Sequence, residues 1–166
     1  MDEGNEIKTD KLISFLSEID KELSRVIQLN AVGGTAMTLL HLKRSTIDID
    51  FDMTMEDGEV FERVLKIIPH GFKIDRFTGG YISSQQLPDD HISKRIGIDT
   101  SFGHIQLFAL HPVDIVATKI GRLNERDLQD IESCIIHGKL KKEEIEERAK
   151  QIVYCGNEKI YKDNLR

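Results

Sequence analysis

Hydrophobic residues recur along the chain with two different spacings, and each spacing predicts one kind of element. Between residues 10 and 25 they recur at every third or fourth position, as on the buried face of an amphipathic helix. Short apolar runs bounded by glycine, proline or polar residues instead predict strands. The two patterns predict strands at about 26–32, 46–51, 73–77, 81–84, 94–100 and 104–108, and further helices at about 35–41, 60–68, 113–123, 126–137 and 141–154.

The order of these predicted elements favours one class of fold. An α-β-α-β-α segment is followed by four short strands and then by three helices. This order predicts an α/β (α+β) protein in which helices flank a mixed β-sheet and form a helical C-terminal cap. We expect a single domain over residues 1–166, with a core at about 26–110 and the helical part at about 111–155.

Composition narrows the class of protein further. Of the 166 residues, 39% are hydrophobic and 31% are charged, and no apolar run approaches the length of about 20 residues that a membrane span needs. The formal net charge of −6 argues against a dedicated duplex-DNA binder, which usually carries a basic face. The acidic N-terminus is unlike a secretory signal, and two cysteines without metal-site spacing are typical of reduced thiols. We therefore expect a cytoplasmic protein.

A glycine pair, Gly33-Gly34, stands between the first predicted strand and a short predicted helix. Glycine permits positive φ and removes the Cβ atom that would keep a ligand away from the backbone. The N-terminus of the following helix offers free N–H groups to an anion. Thr35 can cap this helix and donate its hydroxyl to a phosphate. Gly33, Gly34 and Thr35 are therefore candidate phosphate-binding residues, although a glycine pair by itself is more often a structural turn.

Two aspartates, Asp48 and Asp50, alternate with isoleucines on the second predicted strand. Residues i and i+2 of a strand share a face, with side chains roughly 7 Å apart. Two carboxylates so placed can reach one or two Mg²⁺ ions, which bind a few carboxylates together with substrate phosphates and water. The alternative is an edge strand with a solvated acidic face, but acidic residues are poor strand formers.

A third carboxylate would complete such a metal-dependent catalytic site. We predict Asp99 for this role, because the strand that contains Asp99 could neighbour the strand of Asp48. Asp75, which follows Lys73 and Ile74, is the competing candidate. Either residue could instead be an ordinary surface carboxylate.

The helical part supplies charged residues at helical spacing. Lys119 and Arg122 are i, i+3 neighbours and could both point at a triphosphate, while Asp127 and Asp130 could hold these cations in place. A salt-bridged helix surface is the commoner explanation for such charges taken alone.

The motifs together resemble the nucleotidyltransferase superfamily related to DNA polymerase β. The matching pattern is Gly33-Gly34, thirteen intervening residues, and Asp48-Ile49-Asp50, followed by Lys119-Ile-Gly-Arg122 and Arg126-Asp127-Leu-Gln-Asp130-Ile in the helical part. The later motifs resemble those of a prokaryotic branch that includes abortive-infection type toxin nucleotidyltransferases. One departure is Gly34, since the superfamily often has serine at this position.

The resemblance implies a metal-dependent transfer of a nucleoside monophosphate from a nucleoside triphosphate, such as ATP, to an acceptor, with release of pyrophosphate. It implies that Asp48 and Asp50 ligate Mg²⁺ or Mn²⁺ and that Gly33, Gly34, Thr35 and Lys119 contact phosphate. The acceptor could be RNA (including transfer RNA), a protein or a small molecule, and the resemblance also suggests a toxin or antitoxin partner.

Two other functions compete with this prediction. The segment Asp50-Phe51-Asp52 resembles the first motif of haloacid-dehalogenase-like phosphatases, in which Asp50 would be the nucleophile and Asp52 the acid/base. Alternatively, a catalytically degenerate chain could be a nucleotide-binding or antitoxin-like module. Turnover separates that module from an enzyme, because the module would bind a triphosphate with Mg²⁺ but would release no pyrophosphate.

Overall fold

A computed structural model of the chain describes residues 6–82, 85–120, 125–154 and 164. Within these ranges the elements follow the predicted order, with short additions. The helices are α1 (Thr9–Glu22), α2 (Gly33–Leu39), α3 (Met55–Leu65), α4 (His91–Lys94), α5 (Pro112–Lys119), α6 (Glu125–His137) and α7 (Lys142–Lys150). The strands are β1 (Ile27–Ala31), β2 (Ile49–Met53), β3 (Ile74–Thr78), β4 (Tyr81–Ile82), β5 (Gln85–Gln86), β6 (Ile96–Gly97), β7 (Ile105–Ala109) and β8 (Val153–Tyr154).

The strands form one mixed sheet in the order β6-β7-β1-β2-β3-β4-β5-β8. Strand β1 pairs in parallel with β7 and antiparallel with β2, and β2 pairs in parallel with β3. The predicted mixed sheet flanked by helices is therefore confirmed. The pairing puts β2 and its aspartates at the centre of the sheet, next to β3.

The core lies between the central strands and the helices that pack on them. In α1 the buried residues are Leu12, Phe15, Leu16 and Ile19, which is the predicted apolar face. Helix α5 is buried along its whole length, from Pro112 to Lys119. Its position next to α2 and the sheet brings the end of α5 close to the aspartates of β2.

The middle of the chain departs from the prediction in two places. A strand was predicted to begin at residue 94, but residues 91–94 form the short helix α4. The strand that follows, β6, is only two residues long. The segment between the strands predicted at 81–84 and 94–100 begins with a further strand, β5, which pairs with β4 and β8. Pairs this short carry little periodic signal in the sequence, so the hydrophobic pattern could not reveal them.

The start of β7 is held by the carboxylate of Asp20, a half-buried residue of α1. The backbone N–H groups of Gly103, His104 and Ile105 donate to Asp20 at 3.0, 2.7 and 2.8 Å. Burial by itself raises the pKa of Asp20, but the three N–H donors outweigh it, so the pKa lies below its ordinary value.

We expect Asp20→Asn to lower the free energy of unfolding by about 1–2 kcal/mol at neutral pH, since hydrogen bonds to a charged group are lost. Because the folded-state pKa is depressed, this stabilisation is present above the unfolded pKa and disappears as pH falls through the folded value. Urea unfolding at pH 7 and in acid should show the difference between wild type and variant shrinking in acid. The exposed Glu18→Gln on the same helix is the control, and an equal difference at both pH values would contradict the assignment.

In the described parts of the chain, no helix is both long enough and apolar enough to cross a membrane. Cys134 is a buried free thiol, and burial raises its pKa to about 12. A thiol in this state is a poor nucleophile, so Cys134 is a packing residue of α6.

Candidate active site

The backbone around Asp48 and Asp50 is fixed by Thr35, near the start of α2. The Thr35 hydroxyl donates to the carbonyl oxygen of Asp48 at 3.1 Å and accepts from the N–H of Asp50 at 2.9 Å. Thr46 adds a second hydroxyl donor to the same Asp48 carbonyl at 2.8 Å. The N–H of Val32 donates to the carbonyl of Asp50 at 3.1 Å. These bonds lock the glycine turn and the aspartate strand together.

The position of Thr35 corrects two expectations from the sequence. Helix α2 begins at Gly33 and its N-cap is Val32, so Thr35 is not the capping residue. Its side chain is fully buried and its hydroxyl proton is donated to Asp48, which does not fit the predicted phosphate contact. Thr35 is therefore a positioning residue for the two aspartates.

A side chain is disfavoured at Gly33 and at Gly34 for two different structural reasons. Gly33 has φ +53°, and a Cβ atom there would stand 3.6 Å from Oδ2 of Asp50. At Gly34 a Cβ atom would stand 2.8 Å from Oγ1 of Thr46, which leaves no room for a side chain. This close approach explains why Gly34 occupies a position where the resembled superfamily often has serine.

Gly33→Ala should lower the free energy of unfolding by about 1–2 kcal/mol, because an L-residue is strained in the left-handed region. Gly97→Ala is the matched control, since Gly97 has open space and no positive φ. Thermal unfolding of both variants checks the prediction. If both variants melted at the wild-type temperature, the left-handed conformation at Gly33 would be wrong.

Strand β3 brings a third carboxylate next to Asp50 of β2 and to Asp48, which directly precedes this strand. Asp75 is the register partner of Asp50 in the parallel pair, so both side chains lie on one face of adjacent strands. Asp48, Asp50 and Asp75 line the same cleft. The structure thus brings together the two aspartates of the motif and the competing candidate for the third.

Asp99 lies elsewhere, and the prediction that its strand neighbours the Asp48 strand is wrong. Strand β6 pairs with β7, and both β7 and β1 separate it from β2. The antiparallel register of β6 also places the exposed Asp99 beyond Gly97, towards the end of the sheet where β1 begins. Asp50 lies at the opposite end, level with the end of β1. The hydrophobic pattern predicted the strand, but it could not predict the position of this strand in the sheet.

The cleft has a volume of about 200 Å³ and lies between the sheet and the end of α5. Its polar lining combines the three carboxylates with Gly33, Lys73, Thr118 and Lys119, and its apolar lining comes from Val32, Phe77 and Ile82. This volume is below the range of about 300–1,000 Å³ that is typical of pockets for whole drug-sized ligands. The cleft itself has room for part of a nucleotide, such as its phosphates.

Lys119 reaches this cleft from a buried ion-pair network. Its Nζ lies 3.0 Å from Asp130 Oδ2 and 3.4 Å from Asp127 Oδ1, and the residue is only 3% exposed. The structure therefore places Asp127 and Asp130 beside the lysine that they were predicted to hold. Arg122 lies outside the described residues.

Two lysines of the site were not predicted from the sequence. Lys43 binds Asp130 at 3.3 Å, and its Nζ lies 3.8 Å from where a Cβ of Gly34 would stand. It follows α2 in a segment without periodic pattern, so no sequence signal marked it. Lys73 lines the cleft two residues before Asp75. Lys73 could have been identified from the sequence, because residues i and i+2 of a strand share a face and Lys73 is two residues before Asp75.

Asp52 is on the same face of β2 as Asp50, but it is buried and hydrogen-bonded within the protein. Both of its carboxylate oxygens accept from the N–H of Gly80 at 3.1 Å, and the residue is 2% exposed. Its Oδ2 lies 3.6 Å from Nε2 of the buried His91 and raises the pKa of that imidazole. This burial contradicts the phosphatase alternative, in which Asp52 must meet the substrate as an acid/base.

The donor set of the cleft fits a magnesium ion that arrives with its substrate. Among the residues that the structure describes, no three His, Cys, Asp or Glu side chains form a preassembled metal site. Mg²⁺ seldom needs one, because it usually binds one or two carboxylates and takes its other ligands from substrate phosphates and water. Asp48 and Asp50 could supply those carboxylates.

Comparison with known protein families gives a match that covers nearly the whole chain. Residues 8–165 match the family described as "Nucleotidyltransferase of unknown function (DUF6036)". Comparisons with curated proteins and with solved structures find no match. The family match agrees with the mixed sheet, with the glycine turn before the aspartate strand, and with the resemblance carried by the motifs. The chain belongs to this nucleotidyltransferase family.

Proposed function

We propose that this protein is a metal-dependent transferase that moves a nucleoside monophosphate from a nucleoside triphosphate to a hydroxyl acceptor. The observation that carries the proposal is the parallel register of Asp50 with Asp75, which adds a third carboxylate to the cleft of Asp48. The family match supports nucleotidyl transfer as the reaction class.

Each residue of the cleft has a chemical role in this proposal. Asp48 and Asp50 would hold Mg²⁺ together with the triphosphate. When bound, the ion would neutralise part of the negative charge of the phosphates. Lys119, kept in place by Asp127 and Asp130, offers a cation to the phosphates. Gly33 lets the backbone approach the same phosphates without a side chain in between.

The reaction is a displacement at the α-phosphorus. The acceptor oxygen forms a bond to this phosphorus, the bond from the phosphorus to the α–β bridging oxygen breaks, and pyrophosphate leaves with that electron pair. Asp75 accepts the proton of the attacking hydroxyl. As a register neighbour of Asp50, it stands next to the metal-binding carboxylates without being required to bind the metal itself.

Triphosphate binding tests the assignment before any acceptor is known. We expect calorimetry to show Mg²⁺-dependent binding of a nucleoside triphosphate to wild type, and at least tenfold weaker binding to Asp48→Asn and Asp50→Asn, because each removes a charged metal ligand. The fold should survive, since the changes relieve repulsion between neighbouring carboxylates. Asp99→Asn is the matched control and should bind like wild type. Unchanged binding in the Asp48 or Asp50 variant would refute the site.

A further inference from the structure

A second cleft of about 510 Å³ adjoins the first one and shares two residues with it, Asp48 and Lys73. Its other walls come from the segment before α1, from α1 itself, from the residue before Asp48, and from the segment before β3. These residues are Ile7, Lys11, Ile47, Gly71 and Phe72. Asp48 therefore lines both clefts, and a ligand in the smaller cleft would leave the larger one open.

The walls of this second cleft combine apolar surface with two lysines, Lys11 and Lys73, and the carboxylate of Asp48. Ile47 is 48% exposed, and Phe72 is half-buried, with its ring edge against Phe15 at a centroid distance of 4.9 Å. Lys11 places its Nζ 5.4 Å from the Phe72 ring centroid. Within the described residues, neither Lys11 nor Lys73 has an acidic side chain within 4.0 Å.

We propose that this second cleft binds the terminal nucleotide of a single-stranded RNA acceptor. A base would pack against Ile47 and Phe72, and the phosphate of the same nucleotide would meet Lys11 and Lys73. The combination of an apolar or aromatic platform with lysines is what single-stranded nucleic acid binding requires. This inference rests on the proposed function, because it uses Asp48 as the point where donor and acceptor meet.

Two groups could occupy the second cleft: the acceptor, or the nucleoside part of the donor triphosphate. Their charges distinguish them. The nucleoside part of the triphosphate is neutral, so it would leave Lys11 without a counter-charge, whereas Lys73 also lines the smaller cleft that holds the triphosphate. A nucleotide of an RNA chain brings its own phosphate in addition to the one being transferred. The basic character of this cleft is local, because the chain as a whole carries a net charge of −6.

Fluorescence anisotropy with a short single-stranded oligoribonucleotide, labelled at its 5′ end and without triphosphate, tests the proposal. Lys11→Gln should weaken binding about fivefold near 0.1 M salt and reduce the slope of log K against log salt by about 0.7, the value for one phosphate contact on a single strand. Ile47→Ala should weaken binding about threefold through lost apolar contact. The exposed Lys142→Gln on α7 is the control and should bind like wild type.

Calorimetry with Mg²⁺ and a nucleoside triphosphate keeps this result separate from the proposed function. We expect Lys11→Gln and Ile47→Ala to bind the triphosphate like wild type. Weaker triphosphate binding with unchanged oligonucleotide binding would identify the cleft as the nucleoside site and overturn the proposal. Absent oligonucleotide binding by wild type, or an unchanged salt slope in Lys11→Gln, would also overturn it. Failure of wild type to bind triphosphate at all would instead refute the proposed function.

Discussion

Asp75→Asn should lower the rate of nucleotidyl transfer by about 10²–10⁴-fold, the usual contribution of a general base. Asparagine keeps the shape of the side chain but cannot accept the proton of the attacking hydroxyl. Triphosphate binding with Mg²⁺ should stay within about twofold of wild type, because Asp48 and Asp50 remain to bind the metal. Transfer is measured from an α-labelled triphosphate to acceptor under single-turnover conditions, and binding is measured by calorimetry.

Asp99→Asn is the matched control for this variant. Asp99 is the residue that the sequence favoured as the third carboxylate of the site. In the structure, strands β7 and β1 lie between β6, the strand before Asp99, and β2. We expect its transfer rate to equal that of wild type. A large loss in Asp99→Asn together with a normal rate in Asp75→Asn would show that the register of β2 with β3 does not define the site.

Arg148→Met should lower the free energy of unfolding by about 3–5 kcal/mol, because it removes the partner of a fully buried carboxylate. Arg148 of α7 binds both oxygens of Asp114 in α5, at 2.5 and 3.1 Å, and both residues are buried. For a chain of this size the loss corresponds to a drop of roughly 10 °C in Tm. Chemical and thermal unfolding both measure it.

Two further variants separate the buried ion pair from other effects in the Arg148→Met experiment. Arg148→Met combined with Asp114→Leu should recover most of the lost stability, since an apolar pair leaves no buried charge without a partner. Lys142→Met, which breaks an exposed pair with Glu146 on the same helix, should leave Tm unchanged. If Arg148→Met alone were as stable as wild type, α7 would not pack on α5 as described.

The fold was predictable where the hydrophobic pattern was long and periodic. Helix α1 was expected at 10–25 and spans Thr9–Glu22, and the helix expected at 126–137 spans Glu125–His137. The strands predicted at 73–77 and 81–84 correspond to β3 and β4, and Gly79 and Gly80 between them both have positive φ, as a tight turn requires. Elements of two residues such as β5 and β8 were missed, since they are defined by their partners across the sheet and not by local periodicity.

The candidate site was predictable in its motifs but not in its third carboxylate. Asp48 and Asp50 are two residues apart and line the same cleft as expected, although β2 begins only at Ile49, so Asp48 directly precedes the strand. The choice between Asp75 and Asp99 depends on which strands are neighbours, and sheet order is a long-range property that a single sequence does not state. The role of Thr35 was misjudged for the same reason, because its hydrogen bonds reach across to β2.

The most direct test of nucleotidyl transfer is incubation of the protein with α-labelled nucleoside triphosphates and Mg²⁺ in the presence of total RNA and cell extract. The control protein carries Asp48→Asn and Asp50→Asn. We predict that wild type alone transfers label to an acceptor and releases pyrophosphate, and that the labelled fraction identifies the acceptor class. Triphosphate binding without transfer of any label would contradict the enzyme assignment and would favour a nucleotide-binding module.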